Sequence, residues 1–266
     1  MSEMNLVVFL ARAGVGSRRT CDELVGEGRV AVAGEVVTFP RHKVGADEVV
    51  TVDGEVVEAK ELRYVLVNKP RGVASTRSDP HADRVIVELV PNGRTLFPVG
   101  RLDVDTTGLI ILTNDGVLAN RLMHPRYGVS KTYVARVRGK VSRSALDALR
   151  EGVQLEDGVT SPAEVRLEKQ SNKTALVEVV LREGRKRQVR RMFDAVGTPV
   201  EELHRRRFGP IGDKGLAIGA FRDLSGDEIE ALRRASEAVV RALDDEVEGE
   251  PLTLAGEAAP ASDSES

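Results

Sequence analysis

The first 58 residues combine helical and strand-like patterns of apolar positions. The segment "NLVVFLARAG" has the spacing of a helix and ends at Gly14, a residue that favours a helix C-terminus. Ser17 can cap a second helix, "RRTCDELVGEG". The segments "RVAVAGEVV" and "DEVVTVDGEVV" each read as two short strands joined by a turn that contains glycine. Residues 4–58 are therefore predicted to form a small unit of two helices and short strands.

After the linker "EAKEL", strand-like and helical segments alternate irregularly to about residue 243. Strands are predicted for "RYVLVNK", "TLFPVG", "GLIILT" and "KTYVARVRG", and a strand pair for "PAEVRLEKQ" and "TALVEVVL". Helices are predicted for "VLANRLMH", for "RQVRRMFDAVG" and after Ser142, and the last helix starts with a capping box of Ser225 and Glu228. This order indicates an α+β domain built on a mixed, mostly antiparallel β-sheet.

The composition is that of an ordinary globular protein, with 41% apolar and 30% charged residues in a chain of 266. A membrane span requires about 18 consecutive apolar residues, and no apolar run in the sequence is that long. The N-terminus lacks the pattern of a signal peptide. Cys21 is the only cysteine, which excludes an intramolecular disulfide and a multi-cysteine zinc site. We therefore expect a cytoplasmic protein, monomeric, with no metal and no membrane attachment.

The net charge of −3 conceals a basic body. Residues 244–266 hold eight acids and no base, so the rest of the chain carries +5. This acidic tail is predicted to be disordered. Residues 182–191, "REGRKRQVRR", hold six bases, and "HRRR" follows at residues 204–207. Two such clusters favour a polyanionic partner.

Residues 100–116, "GRLDVDTTGLIILTNDG", contain three carboxylates, Asp103, Asp105 and Asp115. A calcium loop would match at Asp103 and Asp105, but its twelfth position, which should be a bidentate carboxylate, is Asn114. The flanking segments read as a strand and a turn, whereas a calcium loop needs a helix on each side. A calcium loop is therefore rejected.

A metal-dependent phosphotransferase would need an uninterrupted apolar strand that ends at a nucleophilic Asp103. Gly100 and Arg101 interrupt that strand, and no acidic pair further along the chain has the setting of a magnesium site. This activity is therefore much less favoured. A third activity, in which one aspartate acts on RNA without a metal, depends on the rest of the chain.

Four segments, in order, resemble the catalytic domain of the RsuA/RluB family of ribosomal RNA pseudouridine synthases. They are "YVLVNKPRGVAST", "GRLDVDTTGLIILTNDG", "KTYVARVRG" and "EGRKRQVRRMFDAVGTPV". Before them, "LARAGVGSRRTCDELVGEGRVAVAGEVV" resembles the S4 RNA-binding module. The resemblance implies an S4-like (αL) domain over residues 1–60 and a pseudouridine synthase catalytic domain over residues 61–243, before the tail at 244–266.

The resemblance also implies site residues. Asp103 would be the nucleophile that helps move the ribose from N1 to C5 of the same uracil, and attack on the sugar or on the base both stay open. Arg190 would be the buried cation beside Asp103. Tyr133 would contact the uracil, with its hydroxyl a candidate to take the C5 proton, and Val189 would pack on the other side. Arg101 would help to extrude the target nucleotide. No cofactor or metal is implied.

The expected partner is ribosomal RNA or a pre-ribosomal particle, with large-subunit RNA favoured over small-subunit RNA. Asp105 is expected to lie in a loop or on the surface, and Asp115 in the Asn-Asp-Gly turn. The alternative is an RNA-binding or ribosome-assembly factor without catalysis, but Asp103, Tyr133 and Arg190 are all present and favour the enzyme. Basic side chains expected to contact RNA are Arg18, Arg19, Arg29, Lys69, Arg71, Arg185, Lys186, Arg187 and Arg191.

Overall fold

A computed structural model describes residues 3–248 of the chain. The α-helices of this part are α1 (Leu6–Ala13), α2 (Arg18–Gly26), α3 (Gly116–Met123), α4 (Arg143–Glu151), α5 (Gln188–Ala195) and α6 (Gly226–Glu248). Short 3₁₀ helices cover Ile86–Leu89, Gly93–Thr95 and Pro125–Tyr127.

The strands fall into an N-terminal and a C-terminal group. The first comprises β1 (Met4–Asn5), β2 (Val30–Val32), β3 (Glu35–Val36), β4 (Lys43–Val44), β5 (Val50–Val52) and β6 (Glu55–Val57). The second comprises β7 (Tyr64–Lys69), β8 (Phe97–Pro98), β9 (Thr107–Thr113), β10 (Lys131–Arg138), β11 (Gln154–Leu155), β12 (Gly158–Val159), β13 (Glu164–Gln170), β14 (Thr174–Leu181), β15 (Val200–Phe208), β16 (Ile211–Gly212) and β17 (Phe221–Asp223).

The N-terminal unit has the two helices and short strands that the pattern predicts. Gly14 ends α1 in the left-handed conformation, with φ of 90°, and Ser17 Oγ accepts a hydrogen bond from Thr20 N at 3.1 Å at the start of α2. Strands β2, β3, β5 and β6 form a four-stranded sheet in the order β3-β2-β5-β6. A separate hydrophobic cluster holds this unit together, and Cys21 is fully buried in it.

The C-terminal unit is built on a nine-stranded sheet. Its main path is β13-β14-β10-β15-β9-β7-β17, with β16 beside β15 and β8 beside β9. Strands β9 and β15 run parallel, and the other pairs are antiparallel. The prediction of a mixed, mostly antiparallel sheet in an α+β fold is confirmed.

Strands β7 and β9 are covered on both faces, which explains their continuous apolar sequences. Leu109 and Ile111 of β9 pack in the cluster that contains residues of α3 and α6. Ile110 and Leu112 point to the opposite face, into the cluster formed with residues 85–96. The N-terminal end of β9, which follows the Asp103 loop, is therefore held between two hydrophobic clusters.

One prediction from charge needs correction. Residues 244–248 belong to α6, so helix extends into the segment predicted as a disordered tail, and residues 249–266 lie outside the described part. The "HRRR" segment lies in β15, where His204 pairs with Asp213, Arg205 is buried and Arg207 is exposed. Within the described residues, no helix has the length and apolarity of a membrane span.

The close approach of β9 and β15 predicts a large cost for any side chain at Gly108. Gly108 has φ of +114°, and a Cβ there would lie 2.4 Å from the backbone N and O of Arg205. We expect Gly108→Ala to lower the free energy of unfolding by about 4 kcal/mol or more, because backbone must move to admit the methyl group.

Gly139→Ala is the matched control, since Gly139 has φ of +76° and no atom lies within 4 Å of the position that a methyl group would take there. It carries only the left-handed penalty of about 1–2 kcal/mol. Urea unfolding of both variants measures the difference. Equal losses would show that the contact between the two strands does not exclude a side chain.

Candidate active site

The backbone on both sides of Asp103 is fixed by hydrogen bonds from an earlier loop. Ser75 Oγ accepts from Leu102 N at 3.1 Å and donates to Leu102 O at 2.9 Å. On the other side, Gly72 N donates to Val104 O at 2.9 Å. The loop before β9 is therefore held in one conformation, and the Asp103 carboxylate is presented at the carboxyl-terminal end of β7. Sequence reasoning missed Ser75, which no local pattern marks.

Lys69 is not the RNA contact that we expected. Its side chain is fully buried, with 0% exposure, because it extends under the Asp103 loop from the end of β7. Burial lowers the pKa of Lys69 to about 8, and the charges of Asp105 and Asp103 act in the opposite direction. The ammonium group donates to three carbonyl oxygens at 2.9–3.4 Å, those of Pro70, Val73 and Val104.

A cavity of about 410 Å³ lies beside Asp103. Tyr133 on β10 and Val189 on α5 both line it, so the structure brings these two predicted residues together with the carboxylate. Arg101, which is exposed, lines it as well. Apolar side chains from β14, β15 and α3 complete much of the wall, among them Leu122, Leu181, Leu203 and Phe208. Glu183 and basic side chains also line the cavity, which offers a flat ring apolar contacts beside the Asp103 carboxylate.

The expected ion pair between Arg190 and Asp103 is absent among the described residues. Arg190 Nη2 instead lies 3.0 Å from Asp105 Oδ2, and Arg190 Nη1 donates to Val200 O at 3.0 Å. The cation beside Asp103 is Arg187, with Nη1 3.6 Å from Asp103 Oδ2 and 3.4 Å from Asp105 Oδ1. Asp105, predicted to lie in a loop or on the surface, lies in a turn, is half-buried and pairs with two arginines.

The backbone conformation of Arg187 places its side chain beside Asp103 and Asp105. Arg187 precedes α5 in the left-handed conformation, with φ of 50°, which is uncommon for a residue other than glycine.

Asp115 is the N-cap of α3, since its Oδ1 accepts from Val117 N and Leu118 N, both at 3.0 Å. The prediction that Asp115 is structural thus takes the form of a helix cap.

Arg205 is a site residue that sequence reasoning did not find. It is 2% exposed, lines the cavity, and donates from Nη1 to the Tyr133 hydroxyl over 3.4 Å. Strand β15 has an irregularity here: Thr132 pairs with Arg207 and Tyr133 pairs with Arg205, so Arg206 is an extra residue. A prediction that side chains alternate strictly between the two faces of the sheet along β15 therefore assigns the residues on one side of this bulge to the wrong face.

Lys131 also lines the cavity and was not predicted. Its Nζ lies 5.8 Å from the centre of the Phe208 ring. Burial and, to a lesser degree, the charge of Arg205 lower the pKa of Lys131 to about 8. The cavity wall therefore carries positive charge on two strands, β10 and β15.

A second, more open cavity of about 590 Å³ adjoins Asp103 on its other side. Arg71, Lys186 and Arg187, which are exposed and were expected to contact RNA, line it, and so does Arg101. Asp103 therefore borders both cavities, and Arg101, Lys186 and Arg187 also line both. The described residues contain no group of three His, Cys, Asp or Glu side chains that could hold a metal ion.

Other predicted RNA contacts are already engaged within the protein. Arg29 pairs with Asp53 and Glu27, and Arg191 pairs with Asp157 through both terminal nitrogens. Arg185 donates to the carbonyl oxygens of Asp157, Gly158 and Val159. Arg18 and Arg19 are exposed, and Arg18 lies close to Gly116. The contacts of Arg29, Arg185 and Arg191 make these three residues structural as well as basic.

Comparison with known families agrees with both units of the chain. The family model described as "RNA pseudouridylate synthase" matches residues 63–195, and the S4 domain model matches residues 4–50. A solved crystal structure of a pseudouridylate synthase is 32% identical, with a TM-score of 0.61, and the match covers 85% of this chain and 98% of that one.

Curated relatives are similar over almost the same span. The ribosomal large subunit pseudouridine synthase B of Bacillus subtilis is 43% identical over 227 residues, which are 84% of this chain and 93% of the relative. An uncharacterized RNA pseudouridine synthase of Aquifex aeolicus is 42% identical over 238 residues, 88% of this chain and 96% of its own. The Asp103 loop falls inside the family-model match, and the chain belongs to the RNA pseudouridylate synthase family.

Proposed function

We propose that this protein converts one uridine of large-subunit ribosomal RNA into pseudouridine, with Asp103 as the nucleophile. The activity follows from the family, and the choice of RNA follows the Bacillus subtilis relative, which is named for the large ribosomal subunit. The observation that carries the role of Asp103 is its position. One carboxylate on a fixed loop borders a cavity lined by Tyr133 and Val189.

The reaction requires little besides such a carboxylate. The bond between ribose C1′ and uracil N1 breaks, a bond between C1′ and C5 forms, the proton on C5 leaves, and N1 gains a proton. Every heavy atom of the substrate is retained, and no electrons are gained or lost. A carboxylate can form a transient covalent bond either with C1′ or with the base, and both routes agree with the geometry of Asp103.

The cavity walls suit this chemistry. Leu181, Val189 and Phe208 restrict water around the base, which favours attack by a carboxylate over hydrolysis. Arg187 Nη1 lies 3.6 Å from Asp103 Oδ2, and this attraction helps to hold the carboxylate at the cavity. The target uridine must leave its helix or stack to enter the cavity, and exposed Arg101 borders both cavities, where it can occupy the position that the base leaves.

RNA is proposed to cross the basic second cavity, with the S4-like domain at residues 1–60 adding phosphate contacts to the catalytic domain at residues 61–243. Arg19, Arg71 and Lys186 are exposed and available for such contacts. We further propose that the protein works as a monomer, in the cytoplasm, on ribosomal RNA or a pre-ribosomal particle.

Replacing the nucleophile tests the central proposal. Asp103→Asn keeps the shape of the side chain but cannot attack carbon, so we expect no detectable turnover and unchanged RNA binding. Release of tritium from RNA labelled at C5 of uridine measures the reaction, since this hydrogen is lost to water. Turnover in the variant at a rate near that of the wild type would exclude Asp103 as the nucleophile.

Asp105→Asn is the matched control for this experiment. It removes the same charge two residues away and changes ion pairs with the exposed Arg187 and with Arg190, whose side chain is 9% exposed. Asparagine keeps an oxygen that can accept from both arginines, and the Asp105 side chain is 39% exposed to water, so we expect a cost of about 1 kcal/mol or less. The variant should therefore lose at most about tenfold in rate. A complete loss in Asp105→Asn would mean that the ion-pair network, and not one carboxylate, carries the catalysis.

Salt dependence tests the proposed path of the RNA. Lys186 forms no ion pair with any described residue, whereas Arg29 already pairs with Asp53 and Glu27. Lys186→Gln should weaken RNA binding and reduce the slope of log K against log salt by about 0.7–0.9, the value for one phosphate contact. Arg29→Gln removes the same formal charge and should leave the slope unchanged. Filter binding at several salt concentrations measures both, and identical slopes in the two variants would contradict the path.

A further inference from the structure

Arg205 is a buried cation without a compensating carboxylate. It is 2% exposed, and among the described residues no acidic side chain lies within 4 Å of it. Its Nε donates to Leu109 O at 2.6 Å, whereas its Nη2 is buried and has no hydrogen-bond partner. An uncompensated charge and an unsatisfied donor both destabilise the fold. A leucine or methionine could be buried at this position with a smaller free-energy cost, so packing alone does not explain why an arginine is there.

The surroundings of Arg205 belong to the cavity. Its Cζ lies 5.1 Å from the centre of the Phe208 ring and 6.0 Å from that of the Tyr133 ring, and such aromatic faces offset part of the cost of the charge. Its charge also lowers the pKa of the neighbouring Lys131 and Lys69. The positive field at this side of the cavity therefore favours any negative charge that forms there.

The closest polar group of the cavity is the Tyr133 hydroxyl, 3.4 Å from Arg205 Nη1. Tyr133 and Arg205 are register partners on β10 and β15, and the extra residue Arg206 turns Arg205 to the side of Tyr133. Gly108 adds a second constraint, because its lack of a Cβ lets β9 lie directly against the backbone of Arg205. Two features of the sheet thus hold the guanidinium at the phenol oxygen.

We propose that Arg205 is a positioning residue that holds Tyr133 and stabilises the negative charge on its oxygen in the last step of the reaction. This inference rests on the proposed function. Once the sugar is bonded to C5, that carbon carries both the sugar and a proton. The Tyr133 oxygen, having given its own proton to water, takes the C5 proton. The electron pair of the C–H bond returns to the ring, and N1 receives a proton from water.

The test separates this step from binding and from the earlier steps. Arg205→Met keeps the length of the side chain but removes the charge and the donors. We expect single-turnover rates at saturating RNA to fall by about 10²–10³-fold, the effect of losing one preorganised donor, with little change in KM. RNA with deuterium at C5 of uridine should react more slowly than unlabelled RNA in Arg205→Met, by a larger factor than in the wild type, because removal of the C5 proton becomes limiting.

Controls guard against loss of the fold. Arg207→Met changes an arginine of the same strand that does not line the cavity, and it should keep the wild-type rate and isotope effect. Arg205→Lys keeps the charge and should recover part of the rate, and it replaces Arg205→Met as the test variant if the latter does not fold. Thermal unfolding and RNA binding of each variant report the fold.

The outcomes distinguish this inference from the proposed function. Wild-type activity together with an inactive Asp103→Asn supports the proposed function whatever Arg205 does. If Arg205→Met raises KM without lowering the single-turnover rate, or lowers that rate with a wild-type isotope effect, the role of Arg205 is overturned. The proposed function would still stand. Equal rates in Arg205→Lys and Arg205→Met, with both folded, would also overturn the role of Arg205, because the charge would then have no effect.

Discussion

The geometry of Asp103 depends on the hydrogen bonds that the buried ammonium group of Lys69 donates. This group connects the turn after β7, through Pro70 and Val73, with the loop before β9, through Val104. Burying a cation is unfavourable, and the pKa of Lys69 falls to about 8 for this reason. The nearby carboxylates of Asp103 and Asp105 offset part of this cost. The cation fixes the loop, and the carboxylates of the loop help to keep the cation charged.

The parallel pair of β9 and β15 brings the other half of the site to this loop. Residues before β9 supply Asp103, β10 supplies Tyr133, and β15 supplies Arg205, while α5 adds Val189. Because β9 lies between two hydrophobic clusters, these side chains are attached to a support that cannot shift easily. Such rigidity suits a reaction in which one carboxylate must meet one carbon atom.

Local signals made much of the fold predictable. Ser17, Ser142 and the Ser225–Glu228 box marked helix starts, and alternation or continuous apolarity marked the strands, because caps and side-chain periods act within a few residues. The resemblance of motifs supplied Asp103, Tyr133 and Val189. The partner of Arg190, the burial of Lys69 and the position of Arg205 were not predictable, since they depend on a bulge and on loops that meet only in three dimensions.

The pairing of β9 with β15 also determines when the enzyme can become active during its synthesis. Thr107 and His204, which are paired across these strands, are 97 residues apart in the chain. Contacts of such high sequence separation form late, because the long intervening loop must first be closed. The N-terminal unit uses residues before 60 for its own core, so it can be complete while the Asp103 loop still lacks its second wall. A nascent chain could thus hold RNA before it can modify it, and chemistry would begin only after β15 has left the ribosome.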